Sequence, residues 1–422
     1  MKKNILIFPC GSEIGLEIHR SVKDSIHFNL IGGSSVDDHG RFLYKNYIGG
    51  IPFITDPQCI PELIKIVKEK KIDAIYPAMD LVIAVLKKHE ADLGCKIIAS
   101  PAETTDLCLS KRETYKKLES LIKVPKLYAP SDTLSFPVFV KPNKGYGSRG
   151  AKKISSQKEL ELHLENNNDV LICEYLSGEE YTVDCFTNKD GELLFAEART
   201  RSRIMNGISV HTKPVENNET FAAIANKINN HISFRGAWFF QLKKNAKGEL
   251  VLLEIASRLG GSSGLFRVRG INFALLSLYD AFDIPVSILD NAYSIEMDRA
   301  LDNRYKTSLV FDEVFIDYDD CIYSKEKGFN LDLMRFIFDC KNKGKKISLL
   351  SKHQGNLNEE LKKQGIHSLF DRIIHILESE KKSAYIDNSN AIFIDDSFAE
   401  RKEVKESVKI PVFSLDMLPC LL

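Results

Sequence analysis

Gly236-Ala237-Trp238-Phe239-Phe240-Gln241-Leu242-Lys243 and Leu250-Val251-Leu252-Leu253-Glu254-Ile255 flank a turn at Lys247-Gly248. Both runs are rich in aromatic and branched residues, so they read as the two arms of a β-hairpin. Each apolar arm carries one oxygen-bearing side chain, Gln241 and Glu254. Such a pair suits Mg2+, which takes few protein ligands and completes its shell with water and phosphate oxygens. Arg258 follows the second arm.

Upstream, Pro137–Lys141 reads as a strand running into Gly145-Tyr146-Gly147-Ser148-Arg149-Gly150, the most glycine-dense stretch of the chain. Glycines let the backbone approach a ligand closely, and successive free N–H groups can cradle phosphate oxygens. Lys141 and Arg149 would add positive charge. Taken alone, the run is equally a flexible hairpin tip. It is not a Walker A loop, because no Gly-Lys-Ser/Thr closes it. Val170–Tyr175 and Tyr181–Thr187 read as strands, separated by the turn Ser177-Gly178. The middle of the chain is therefore an α+β region.

On either side the pattern is α/β. Asn4–Phe8, Phe28–Ile31, Asp73–Tyr76 and Ile97–Ala99 read as strands, alternating with helical spacing over Ile14–Val22 and Pro61–Lys71. Such alternation predicts a parallel sheet with right-handed crossovers. Gly11-Ser12-Glu13-Ile14-Gly15 is not a G-x-G-x-x-G fingerprint, so no dinucleotide site is predicted there. A third block alternates again, with a strand ending at Phe315-Ile316-Asp317, a helix over Leu331–Cys340, and strands at Lys346–Leu350 and Ala391–Ile394. Residues 286–308 carry no strong pattern and read as a linker. The expected division is 1–100, 101–285, the linker 286–308, and 309–422.

The chain has 422 residues, 58 basic and 58 acidic, with zero formal net charge. That balance gives no case for a nucleic-acid or membrane-surface binder. The nine cysteines show no C-x-x-C pair, which predicts reduced thiols in a reducing compartment rather than a disulfide framework or zinc ribbon. The apolar run Ile5–Phe8 is too short for a signal core, and the stretch around Ala74–Leu86 contains Asp80 and falls short of the ~20 residues of a membrane span. A cytoplasmic protein is expected.

Several pieces occur in a telling order: Ser110-Lys111-Arg112, Phe139-Val140-Lys141-Pro142, the glycine run, Glu174-Tyr175-Leu176 with Glu180, His211-Thr212, Gln241, and Glu254 with Arg258. In this order the chain resembles the ATP-grasp superfamily, most closely the synthetase domains of carbamoyl-phosphate synthase, over about Met1–Tyr279. The resemblance implies a Rossmann-like domain followed by an ATP-grasp domain. It also implies roles. Lys111 and Lys141 would hold ATP phosphates, under the loop carrying Gly145, Gly147 and Ser148. Main-chain groups at Glu174 and Leu176 would meet the adenine and Glu180 the ribose, with His211 also at the nucleotide. Gln241 and Glu254 would hold Mg2+ (or Mn2+), and Arg258 would stabilise the transferred phosphoryl group. The family often has Asn two residues after the metal-binding Glu, where this chain has Ala256. That departure leaves open a weaker metal site or a non-catalytic one.

Arg199, Arg201 and Arg203 alternate, which would put all three on one face of a strand. They would clamp a carboxylate substrate, Arg201 and Arg203 foremost, or form a solvated edge. Arg267 and Arg269 invite the same two readings.

In the last block, Asp317 and Asp319 lie just past a strand end, where open α/β sheets bind ligands. Asp317 could attack phosphorus, and Asp319 could serve as acid and base. With Ser351, the Lys381-Lys382 pair and Asp395-Asp396, the block resembles the haloacid dehalogenase (HAD) superfamily of phosphohydrolases over about Ser308–Leu422. The resemblance implies Mg2+ at Asp317, the Asp319 carbonyl, Asp395 and Asp396. It implies phosphoryl binding by Ser351 and by a lysine assigned to Lys382.

These readings predict a carboxylate ligase that uses ATP and Mg2+, forms an acyl phosphate and transfers it to an amine or other nucleophile. It would be fused to a HAD-like phosphatase for a small phosphorylated metabolite. Small molecules are the expected partners, and a homo-oligomer is compatible with the sequence. Two alternatives stand: a bicarbonate or carbamate kinase like carbamoyl-phosphate synthase, and a nucleotide-binding sensor that regulates the phosphatase.

Overall fold

A computed structural model describes residues 2–145, 149–165, 167, 169–205, 207–291, 293–300 and 303–422. The first unit is a parallel sheet of Asn46–Ile48, Phe28–Gly33, Lys3–Phe8, Ala74–Pro77 and Lys96–Ile97, in that spatial order. Ile5, Leu6, Ile7 and Phe8 are all buried, as a continuous apolar run covered on both faces requires. The helix Glu13–Val22 starts where Ser12 Oγ accepts from Gly15 N at 3.0 Å. Gly15 must be glycine-sized: a Cβ there would stand 2.5 Å from Cys10 O.

The middle unit holds two antiparallel sheets. One runs Leu193–Thr200, Glu180–Thr187, Gly236–Lys244, Leu250–Ala256. The other runs Leu127–Tyr128, Val170–Glu174, Val138–Pro142, Lys152–Ile154. In the hairpin, Gln241 pairs with Glu254 directly across the ladder. The only tryptophan of the chain, Trp238, is fully buried and stacks on Phe234 at 4.0 Å between ring centroids. The segment after the hairpin returns to the first unit: Leu265, Phe266, Phe273 and Leu278 share one buried cluster with Ile5, Ile7, Ile14 and Ile18.

The expected linker is not a linker. Ile295–Arg299 and Asn303–Thr307 form a hairpin and complete a third sheet with Arg203–Met205 and Ile208–Thr212. Ile295 and Met297 do alternate with Glu296 and Asp298, but the period runs over too few residues to stand out. Met297 nonetheless sits in the shared core.

The last unit is a five-stranded parallel sheet ordered Arg372–His375, Lys346–Ser351, Glu313–Ile316, Ala391–Ile394, Val412–Phe413. Glu313–Ile316 is central, so the loops after it and after Ala391–Ile394 leave the sheet side by side. This unit is welded to the first. Arg267, 2% exposed, donates to Glu17 Oε1 at 2.7 Å and also to Asp416 O, while Asn272 Nδ2 donates to Asp416 Oδ2 at 2.9 Å. No helix among the described residues is long and apolar enough to cross a membrane.

Candidate functional site

Two clusters of polar side chains stand out. The first is a pocket between the two sheets of the middle unit. Lys111, Lys141, Gly145, Arg149, Glu174, Leu176, Glu180, Arg201, Gln241, Lys243 and Glu254 line it. Lys111 opens the helix Lys111–Leu118, which Ser110 caps by accepting from Glu113 N. Its Nζ donates to Gly145 O at 3.2 Å and lies 3.8 Å from Glu254 Oε2. Lys141 is 7% exposed, and its Nζ donates to Tyr115 OH at 2.6 Å and to Leu253 O at 3.1 Å. Burial pushes the Lys141 ammonium down from its ordinary range. Five cations and three carboxylates thus share one groove, a donor set suited to a polyanion with a bridging cation.

The predicted residues fall on it unevenly. Lys111, Lys141, Gly145, Glu174, Leu176, Glu180, Gln241 and Glu254 all line the pocket. Gly147 and Ser148 lie outside the described residues. His211 does not line it; its Nε2 faces Glu296 at 3.9 Å instead. Arg258 also stands apart. Its Nε and Nη2 donate to the two oxygens of Asp80 at 2.8 and 2.9 Å, and its guanidinium lies 5.3 Å from the Phe239 ring centroid. Asp80 begins the helix Asp80–Lys88 of the first unit.

The single strand face read from the alternation of Arg199, Arg201 and Arg203 is not formed. The strand ends at Thr200 and the chain bends before Arg203–Met205, so the period breaks. Arg199 is buried on Asp184 at 2.6 Å, and Arg201 meets Glu180 at 2.7 Å inside the pocket. Arg203 pairs with Asp298 at 2.7 Å in the third sheet. Arg269 is likewise tied to Glu197 at 2.7 Å and to Asp290. Each of these guanidiniums faces a carboxylate, although Arg201 shares Glu180 with Lys243 at the pocket and the Arg203 pair is exposed.

The second cluster crowns the C-terminal sheet. Ligand atoms of Asp317, Cys321, Asp395 and Asp396 all lie within 4.8 Å of one another, the one such group among the described residues. Lys382, rather than Lys381, reaches them: its Nζ donates to Asp317 Oδ1 at 2.8 Å and Asp395 Oδ2 at 2.6 Å. Burial, and then the neighbouring Asp317 charge, push Asp395 up to about 7 and Asp396 up to about 6. Burial raises Asp317 as well, against the pull of Lys382. Four crowded acid and thiol groups served by one lysine form a donor set that a divalent cation would complete. Ser351 Oγ is buried with no hydrogen bond of good geometry among the described residues, yet it lies near enough to Asp317 to favour that carboxylate's charged form.

Some functional neighbours were not foreseen from the sequence. Arg401 Nη1 donates to Asp395 O and Asp396 O, both at 2.7 Å, and so shapes the acidic loop. His353 Nδ1 sits 2.8 Å from Asp319 Oδ2. Tyr115 was legible only as lying four residues after Lys111, on the same helical face.

Residues 166–302 match a family model described as ATP-grasp in the biosynthetic pathway with Ter operon. A D-alanine–D-alanine ligase of Bacillus anthracis is 29% identical over 155 residues, 30% of this chain and 51% of that one. The chain thus spans about half the length of that relative. The carbamoyl phosphate synthase large chain of Clostridium botulinum is 26% identical over 187 residues, 38% of this chain and 17% of that one. The biotin carboxylase domain of the 2-oxoglutarate carboxylase of Hydrogenobacter thermophilus, solved with MgADP, ADP and bicarbonate, aligns with a TM-score of 0.60. It is 15% identical, with 71% of this chain and 74% of that one covered, so that likeness is one of fold. Together these support a mixed α/β fold of the ATP-grasp superfamily.

Proposed function

We propose that this chain is an ATP- and Mg2+-dependent carboxylate ligase carrying a C-terminal phosphohydrolase unit of the HAD type. The pocket of Lys111, Lys141, Gln241 and Glu254 carries the first half of the reading. Lys111 and Lys141 would hold the polyphosphate of ATP, with Glu174 and Leu176 beside the base and Glu180 at the ribose. Gln241 and Glu254 would hold Mg2+, which when bound neutralises phosphate charge. The substrate carboxylate oxygen would form a bond to the γ-phosphorus as ADP leaves. An amine would then attack the acyl carbon, expelling phosphate and losing a proton.

The Asp317, Lys382 and Asp395 cluster supports the second half. Asp317 would attack the phosphoryl group, Ser351 and Lys382 would bind its oxygens, and Asp319 would protonate the departing oxygen and then activate water. Mg2+ held by Asp317, Asp395, Asp396 and the Asp319 carbonyl would balance the negative charge there.

A screen of carboxylate and amine pairs for ADP release tests the ligase. Binding of ADP with no pair releasing ADP would refute it. Turnover of an aryl phosphate, abolished by Asp317→Asn, tests the phosphohydrolase, and full activity in that variant would refute it. Ala256 at the usual Asn position and Arg258 held on Asp80 favour a second reading, a nucleotide sensor that regulates the phosphohydrolase. ATP that alters aryl phosphate turnover without being consumed would favour it. Bicarbonate-dependent ADP release would instead mark a bicarbonate or carbamate kinase.

A further inference from the structure

We infer that Tyr115 is a positioning residue for nucleotide phosphate binding, acting through Lys141. The inference rests on the nucleotide reading of the pocket. Tyr115 is 1% exposed and does not line the pocket, so it cannot touch a ligand there. Its hydroxyl accepts from Lys141 Nζ at 2.6 Å and donates to Leu253 O at 2.5 Å. The same ammonium donates to Leu253 O at 3.1 Å.

An ammonium has three N–H donors arranged tetrahedrally. Two are held here by fixed acceptors, one a buried phenol and the other the main chain of the strand that carries Glu254. The third N–H is therefore aimed rather than free to rotate, and Lys141 lines the pocket. The ring adds a second restraint, with Nζ 5.2 Å from its centroid. Tyr115 and Lys111 share one helix, so a single element sets Lys111 against Glu254 and Gly145 and braces Lys141 from the neighbouring strand. Burial lowers Lys141, and these acceptors offset part of the cost of keeping it charged.

Tyr115→Phe keeps the ring, its packing and its face toward the cation, and removes only the hydroxyl. Calorimetric titration with ADP in Mg2+, and separately with adenosine, reads the effect. The expected result is an ADP affinity weakened of the order of tenfold, adenosine affinity unchanged, and melting temperature within a few degrees of wild type. In a Lys141→Met background, Tyr115→Phe should cost nothing further. Equal weakening of ADP and adenosine would mark a merely structural role and overturn the inference. So would an unchanged ADP affinity, or full additivity with Lys141→Met. A wild-type protein that binds ADP no better than adenosine overturns the nucleotide reading, and the inference falls with it. A wild type that prefers ADP beside an indifferent Tyr115→Phe overturns the inference alone.

Discussion

Asp395 offers a sharp test of the C-terminal cluster. Its carboxyl is buried beside Asp317 and Asp396, and in metal-free protein it is pushed up to about 7. In the unfolded chain an aspartate titrates near 3.9, about three units lower. The folded state therefore holds this proton more tightly than the unfolded state. Stability from this group is fully present below about pH 4 and is lost as pH rises through about 7. Three units correspond to about 4 kcal/mol. The perturbation is Asp395→Asn, which keeps the shape and the acceptor for Ser397 N, now 2.8 Å from Asp395 Oδ1. Hydrogen exchange of the amides of Ala391–Ile394 and Glu313–Ile316, in EDTA from pH 4.5 to 7.5, reports the stability of this unit. Relative to the variant, wild type should lose about 3 kcal/mol of stability between pH 4.5 and 7.5, the rest of the loss lying below pH 4.5. Mg2+ at pH 7.5 should restore most of the loss in wild type and less in Asp395→Asn. Parallel pH curves for the two proteins in EDTA would refute the reasoning, because Asp395 would then titrate alike folded and unfolded.

Other outcomes are equally concrete. Lys382→Met leaves Asp317 and Asp395 buried without their cation, so it should destabilise the unit by about 3–5 kcal/mol at pH 7.5 and by less at pH 5, read by the same exchange. Arg267→Met leaves Glu17, buried at the junction of the first and last units, with Arg20 at 3.4 Å as its remaining cation. It should cost about 3 kcal/mol, the low end for breaking a buried pair, and lower the thermal midpoint of the whole chain, measured by calorimetry. If Arg258 must leave Asp80 to reach a phosphoryl group, Arg258→Met should cut ADP release by about 100-fold while ADP binding holds, as paired kinetics and titration would record.

Much of the fold was legible because its signals are local. Apolar runs such as Ile5–Phe8 and Ala391–Ile394 announce buried parallel strands, and the glycine at the Lys247-Gly248 turn announces a hairpin. The turn sets the register as far as Leu242 opposite Leu252, and an irregularity between Gln241 and Leu242 then brings Gln241 opposite Glu254, a shift the turn alone does not dictate. The hairpin within 286–308 was missed for the opposite reason. Ile295–Arg299 gains its burial from the shared core and from Ile208–Thr212, and its own alternation is only about four residues long.

The chain's amino acids by themselves determined most of the strands and helices, the hairpin within 286–308 excepted, and which acids and lysines stand at strand ends. Only the tertiary structure decided which of those charges remain available. Arg199, Arg203 and Arg269 looked like substrate ligands, yet each is bound by a carboxylate supplied from another strand or loop. Arg258 meets an aspartate 178 residues away, and Lys141 is steadied by a tyrosine and by a carbonyl 112 residues on. Periodicity reports which face of an element is buried, because burial repeats with the turn of the helix or the pleat of the strand. It carries no record of the partner across a domain junction. A buried guanidinium or ammonium needs that partner to offset its lost hydration, and packing alone selects it.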